Sequence, residues 1–271
     1  MAMAAAEPRF YSTEGVVLRH SDLGEADRIV VLLTPRRGLV RAVARGARKP
    51  TSKLGGHLDL MRHVSISARP GATLDTISQV DTVSGFPRLR KDLGRLSRGL
   101  YMCELAEKFA VEDAPAPGMF RMLVDGLEWL ETARSPDLFL RWYELRILQL
   151  NGFQPEVQRC ADCGGELQPE SHTFSPARGG IVCPSCRPAG ADQLLPAGVG
   201  TVKLLRYLRR ADREGLESFR VGDQERRQVE RILRTHLQFV LERALRTTAF
   251  LDEVRQWAEV GPVVGDLPGR T

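Results

Sequence analysis

Four of the five cysteines, Cys160, Cys163, Cys183 and Cys186, are spaced C-x2-C-x19-C-x2-C, which is the spacing of a zinc ribbon. Two intervening residues let each pair of thiolates face one side of a tight turn, and the glycines after Cys163 supply the backbone freedom such a turn needs. A thioredoxin-like redox motif would be single and would open a helix, whereas this one is doubled in polar, loop-like sequence. Structural disulfides are disfavoured in a reducing compartment. Four thiolates complete a tetrahedron and leave no position for water or substrate, so the spacing predicts one structural zinc ion. His172, between the pairs, is left out of the ligand set and expected on an exposed loop. Cys103 falls in a helical pattern beside Leu105 and Ala106 and reads as a small buried residue.

A second candidate is "RRGLVRAVARGARKPTSKLGG", from Arg36 to Gly56, which carries Arg36, Arg37, Arg41, Arg45, Arg48, Lys49 and Lys53 and no acidic residue. Within "LVRAVAR", Arg41 and Arg45 share one parity while Val40, Ala42 and Ala44 share the other, so a strand here shows two arginines on one face. The chemistry this suits is binding of nucleic-acid phosphates; the alternative is a solvated edge strand kept from aggregating by its charges. The lack of nearby acids favours a polyanion. Arg88, Arg90 and Lys91, with Arg95 and Arg98, form a second basic cluster that either extends the path or is a solvated helix face. The few neighbouring aromatics, Phe10, Tyr11 and Phe86, are expected in core packing, which leaves phosphate contacts dominant. Catalytic residues are not predicted. A zinc-dependent nucleic-acid enzyme, one alternative, needs an open metal position and a general base, and neither H-E-x-x-H, H-x-E with a cysteine pair, nor a Walker A motif occurs. A scaffold that uses the basic face only to dock proteins is the other.

These residues need elements to hold them. From Tyr11 to Val80 five β-rich runs, "YSTEGVVLR", "RIVVLLT", "GLVRAVA", "HVSISA" and "TLDTISQV", are separated by turn signals and predict a small Greek-key barrel, either an OB-fold or an SH3-like barrel. After "SGFPRL" the period shifts toward 3.6, with Leu89, Leu93, Leu96, Leu100 and Cys103 on one stripe of a long helix. Two further helices follow, the second closing at Asn151-Gly152. Beyond the cysteines, "VGTVKLLRYLRRAD" and "DQERRQVERILRTHLQFVLERALR" predict two more. The expected fold class is α+β: a barrel of one of these two kinds (1–85), then an all-α helical region (86–155 and 191–260) with a four-cysteine zinc ribbon inserted (156–190), and a flexible tail (261–271).

Composition agrees with a folded, moderately basic protein: 42% of residues are hydrophobic and the net charge is +5. Residues 1–85 hold 12 Lys+Arg against 8 Asp+Glu, which concentrates the surplus on the barrel. Neither a signal peptide nor a membrane-spanning run is predicted, so the expected location is cytoplasmic.

The opening "STEGVVLRHSDLGEADRIVVLLTPRRGLVRAVARGARKPTSKLGG" resembles the N-terminal signature of the bacterial RecO recombination mediators, with "G-E-x-D-R" before the second strand and "A-[KR]-G-[AV]-R" after the third. The order of barrel, helices, ribbon and helices is similar to that family along nearly the whole chain. The resemblance implies a non-enzymatic, nucleoid-associated protein with an N-terminal OB-fold (1–85) and a helical C-terminal region, which binds single- and double-stranded DNA and anneals complementary strands. It implies as partners RecR, the C-terminal tail of single-stranded DNA-binding protein, and RecA indirectly. Where many relatives carry lysine this chain has Arg45, which keeps the charge.

Overall fold

The five β-rich runs become β1 (Tyr11–Leu23), β2 (Asp27–Thr34), β3 (Gly38–Ala44), β4 (His63–Arg69) and β5 (Asp75–Ser84) in the computed structural model, which describes residues 10–187 and 194–241. They close into a barrel in the order β1-β2-β3-β5-β4, with β4 returning to β1. Neighbours are antiparallel except β3 and β5, which pair in parallel at Ala42–Asp75 and Val43–Thr76. This five-stranded Greek-key closure is that of an OB-fold and decides between the two barrels the sequence allowed.

The apolar run "IVVLL" has no polar alternation because β2 is buried on both faces. Val30 and Leu32 enter the barrel interior with Val17, Val40, Ala42 and Ile66. Leu33, together with Val16 and Leu18 of β1, faces outward into the core of the helical region.

That region comprises α1 (Pro87–Lys91), α2 (Leu93–Phe109), α3 (Pro117–Leu130), α4 (Pro136–Leu150), α5 (Val199–Arg210), α6 (Arg213–Ser218) and α7 (Asp223–Leu241). Between α4 and α5 a three-stranded sheet, β6 (His172–Ser175), β7 (Gly180–Val182) and β8 (Leu195–Ala197), pairs in the order β7-β6-β8. Neither α6 nor β8 was expected from periodicity; each is too short to show a period. The single helix expected from Leu89 is in fact two. Asp92 adopts extended backbone, and its carboxylate accepts the Arg95 N–H at 2.9 Å as the N-cap of α2. The break turns the expected stripe: Leu93 is exposed, Leu96 and Leu100 are half-buried, and the buried face of α2 carries Ser97, Tyr101, Met102, Cys103, Leu105 and Ala106. The end of α4 at Asn151-Gly152 matches expectation, with Phe153 N donating to Leu148 O at 2.8 Å and Gly152 N to Gln149 O at 3.2 Å in a Schellman turn.

The ribbon shares the helical core, since Val157, Phe174, Ile181 and Val182 belong to the same apolar cluster as Leu145, Leu205 and Ile232. At its centre the Arg141 guanidinium meets the Glu144 carboxylate at 3.1 Å, and Tyr101 of α2 donates to the same carboxylate at 2.8 Å, all three buried. The end of the last expected helix, the expected flexible tail and residues 188–193 lie outside the described residues. Among the described residues no helix is long and apolar enough to cross a membrane.

Candidate nucleic-acid interface and metal centre

The β3 alternation is as the sequence predicts: Val40, Ala42 and Ala44 are buried in the barrel, while Arg41 and Arg45 are exposed on its outer face. Arg36 sits exposed in the β2–β3 turn, and Arg48, Lys49 and Lys53 follow on the long loop that runs to the 3-10 turn Gly55–His57. Thus the barrel gathers the seven cations along one strand and its flanking loops.

The structure also brings acids to this run that adjacency in sequence does not show. Arg37 is half-buried between Asp75 at 3.1 Å and Asp113 at 3.0 Å, with its guanidinium 4.6 Å from the centre of the Tyr11 ring. Tyr11 in turn donates to Asp75; burial and then that carboxylate hold its hydroxyl protonated well above the ordinary tyrosine range. Arg41 lies 4.0 Å from Glu112. Arg48 pairs with Asp22 at 3.3 Å and donates to the carbonyls of Gly24 and Glu25 at 2.9 and 3.1 Å, pinning the long loop to the β1–β2 turn. Arg36, Arg45, Lys49 and Lys53 are exposed and have no ion pair among the described residues. Of the seven, these four are uncommitted, and the other three do structural work.

Glu112 and Asp113 belong to the linker between α2 and α3, which is held on the barrel by its backbone. Leu39 N donates to Val111 O at 3.1 Å and Ala116 N to Pro35 O at 3.1 Å. The approach is so close that a Cβ on Gly38 would lie 2.2 Å from Val111 O, so only glycine fits there.

The second basic cluster divides in the same way. Arg90 donates to Leu60 O at 2.6 Å and Gly85 O at 3.3 Å, which fastens the segment before β4 to α1. Arg95 bonds the carbonyls of Leu130 and Ala133, and Arg98 pairs with Asp137. The Arg88 and Lys91 side chains stay exposed. Of the three aromatics, Phe86 is buried as expected and Tyr11 is half-buried, whereas Phe10 is exposed, just ahead of β1 and outside the barrel wall.

The four cysteines meet. Their Sγ atoms all lie within 4.8 Å of one another, against about 3.8 Å between ligands in an ideal tetrahedron with metal–sulfur bonds of about 2.3 Å. The first turn is closed by Cys160 N to Gly165 O and Gly164 N to Cys160 O, both 2.9 Å, and the second by Cys186 N to Cys183 O at 3.1 Å. Burial pushes the Cys160 thiol up, but the backbone N–H groups of Cys163, Cys183 and Asp162 outweigh it and draw it down to about 6. Cys186 is pushed up to about 12 by the thiols of Cys163 and Cys183 beside it. Four crowded sulfurs can all be thiolates only around a cation, so the donor set fits a metal ion.

His172 corrects its expectation. It lies in β6, is buried, and its Nε2 is 2.8 Å from Gln168 O; it is outside the sulfur cluster, as its omission from the ligand set requires, but it is not a solvated loop residue. The period-2 pattern of "HTFS" beside the cysteines is too short to reveal a strand.

A further groove, of about 920 Å³, opens between α3, α4 and the α5–α6 junction, where no sequence motif pointed. Trp129 and Trp142 form its wall, with ring centres 5.2 Å apart, and Arg146 and Arg213 lie over these rings at 5.3 and 5.4 Å. Arg121 and Arg210 on the rim are exposed.

Comparisons with known proteins follow the same architecture. The family model for the recombination protein O N-terminal region matches residues 9–86, and that for the recombination protein O C-terminal region matches residues 90–249. The chain is 41% identical over 249 residues to the DNA repair protein RecO of Roseiflexus sp., covering 92% of this chain and 87% of that one. It is 39% identical over 246 residues to that of Thermobifida fusca, covering 89% and 98%, and 34% identical over 248 residues to that of Symbiobacterium thermophilum, covering 90% and 98%. With both halves of the family matched in order and relatives aligned over most of their length, this chain belongs to the RecO family.

Proposed function

We propose that this protein is a DNA-binding recombination mediator in DNA repair. It binds single- and double-stranded DNA through the barrel, anneals complementary strands, and with RecR helps load RecA onto DNA coated with single-stranded DNA-binding protein. The observation that carries the reading is the set of exposed cations flanking β3, Arg36, Arg45, Lys49 and Lys53, which have no ion pair among the described residues, on the fold used to track nucleic-acid backbones. The relatives' designation as DNA repair proteins supports it. Annealing needs two phosphate backbones brought together against their repulsion, which basic surfaces accomplish by binding alone.

The metal we assign as zinc, with a structural role, because four cysteine ligands leave no open coordination position. The Trp129–Trp142 groove suits the acidic, apolar-ended tail of single-stranded DNA-binding protein: its aromatic wall takes the apolar end and its arginines the carboxylates. The deciding experiment is annealing of complementary strands coated with single-stranded DNA-binding protein, without ATP. Rapid duplex formation is expected, with Arg210→Glu impairing it on coated but not on naked strands. Failure on both naked and coated strands overturns the reading.

If the four uncommitted barrel cations each meet a phosphate, log K for single strands should fall with log[salt] at a slope of about −2.8. A flat response would exclude phosphate-dominated binding.

A further inference from the structure

Two depressions flank residues 52–56 of the barrel and share Ser52 and Gly56. They differ in chemistry. The first, about 360 Å³, is lined by Arg28, Arg48 and Lys49 around the small residues Ala47, Gly55 and Gly56. The second, about 530 Å³, has Leu54 and Val80 as apolar surface, His57, Ser78 and Gln79 as polar groups, and one charge of each sign, Lys53 and Asp81, on its wall.

We infer that this loop is a receptor for one unpaired nucleotide, with the cationic cup taking its phosphate and the adjoining amphipathic groove its base. The inference rests on the DNA-binding reading and adds to it a strand class: an unstacked base on a single strand.

The cup is built rather than merely charged. Asp22 lies 3.3 Å from the Arg48 guanidinium and 3.8 Å from that of Arg28, which draws the two cations together. The Arg28 Nε is the buried atom that faces Asp22, too far for a hydrogen bond, and Lys49 has no ion pair among the described residues. Asp59, the one carboxylate on the wall, is itself paired with Arg62 at 3.4 Å. The walls are held in place: Gly46 N donates to Asp27 at 2.7 Å, Arg48 N to Ala26 O at 2.9 Å, and a Cβ at Gly55 would lie 2.2 Å from Ala47 O. A phosphate therefore meets two arginines already held in place, with Lys49 alone left to be ordered on binding, and this lowers the cost of binding.

The groove is equally fixed. Ser52 Oγ accepts the N–H groups of Leu54 and Gly55, both at 3.2 Å. The Thr82 N–H donates to His57 Nδ1 at 3.2 Å, so a neutral ring carries its proton on Nε2 and is a donor there. Apolar surface bordered by a histidine donor, a hydroxyl and a carboxamide matches a nucleobase, whose face is apolar and whose edge is a row of donors and acceptors. A paired, stacked base offers neither its face nor its pairing edge, and extruding it from a duplex costs a few kcal/mol.

The test uses the full chain and three probes of equal length: an oligothymidylate, a strand of abasic sites with the same phosphates, and a duplex. Anisotropy titrations should show the oligothymidylate bound about fivefold or more tighter than the abasic strand at the same salt slope. In Gln79→Ala and Leu54→Ala that gap should shrink with the slope kept. In Lys49→Gln the gap should persist while the slope falls by about 0.7. Equal affinity for the thymidylate and abasic strands in the unmodified protein overturns the base groove while leaving DNA binding intact. A gap undiminished in both groove variants overturns it as well, because the bases are then read elsewhere. No binding to any probe at low salt overturns the DNA-binding reading, and this inference with it.

Discussion

Arg48 and Lys49 are adjacent, equally charged and both exposed, yet they do different things. Arg48 bonds two carbonyls of the β1–β2 turn and pairs with Asp22, whereas Lys49 has no ion pair among the described residues. Arg48→Gln should therefore lower stability by about 1 kcal/mol, a modest figure because the contacts are partly in solvent. Lys49→Gln should leave thermal unfolding unchanged and weaken binding to DNA. Paired melting and anisotropy measurements on the two variants separate these roles; equal effects on both readouts would contradict the assignment. Sequence alone makes the two residues equivalent members of one basic run, because the partners that distinguish Arg48, Gly24, Glu25 and Asp22, are distant in the chain.

The elements add a control that no basic residue contains. The α2–α3 linker is bonded by its backbone to β3 and to the β2–β3 turn, and so holds Glu112 and Asp113 beside Arg41 and Arg37. Both carboxylates are largely in water, where such pairs contribute little to stability. They do cancel charge where a phosphate backbone would lie. Glu112→Gln with Asp113→Asn should raise affinity for single strands about two- to fivefold at low salt, the gain vanishing at high salt as screening removes it; unchanged low-salt affinity would mean that DNA does not reach this end of β3. The ribbon is an element of another kind. Its strands donate Phe174, Ile181 and Val182 to the helical core, and Arg206 of α5 donates to the carbonyls of Val157 and Gln158 at 2.7 and 3.1 Å. Cys160→Ser with Cys163→Ser should abolish stoichiometric metal and lower the stability of the helical region, while DNA affinity per folded molecule changes little. A selective loss of DNA binding at full stability would show that the ribbon touches DNA.

Across the whole molecule, barrel, helices and ribbon are joined by apolar surface and by one buried charged group. Val16, Leu18 and Leu33 leave the barrel wall for the helical core, and Arg141, Glu144 and Tyr101 tie α4 to α2 within it. Removing one partner of a buried ion pair takes away part of the compensation of the other charge. Arg141→Leu should cost about 3–5 kcal/mol, measured by denaturant unfolding. A cost under about 1 kcal/mol would mean that Glu144 is satisfied by its other contacts. The basic face of the barrel and the tryptophan-walled groove are thus parts of one packed body, the first on the barrel and the second between the helices.

Features governed by neighbours in the chain were legible in the sequence. The two cysteine pairs, the parity of Arg41 and Arg45, and the end of α4 at Asn151-Gly152 each depend on residues within a few positions, where spacing fixes direction. Only the tertiary structure decided what depends on distant partners. The parallel β3–β5 pairing made the barrel an OB-fold, and the Asp92 cap broke the expected long helix in two. Burial moved His172 from the expected loop into a strand, and Asp22, Asp75, Glu112 and Asp113 converged on a run that looked free of acids. The physical reason is that charge and burial act through space: a carboxylate 70 residues away along the chain neutralises an arginine as fully as an adjacent one once the fold brings them within about 4 Å.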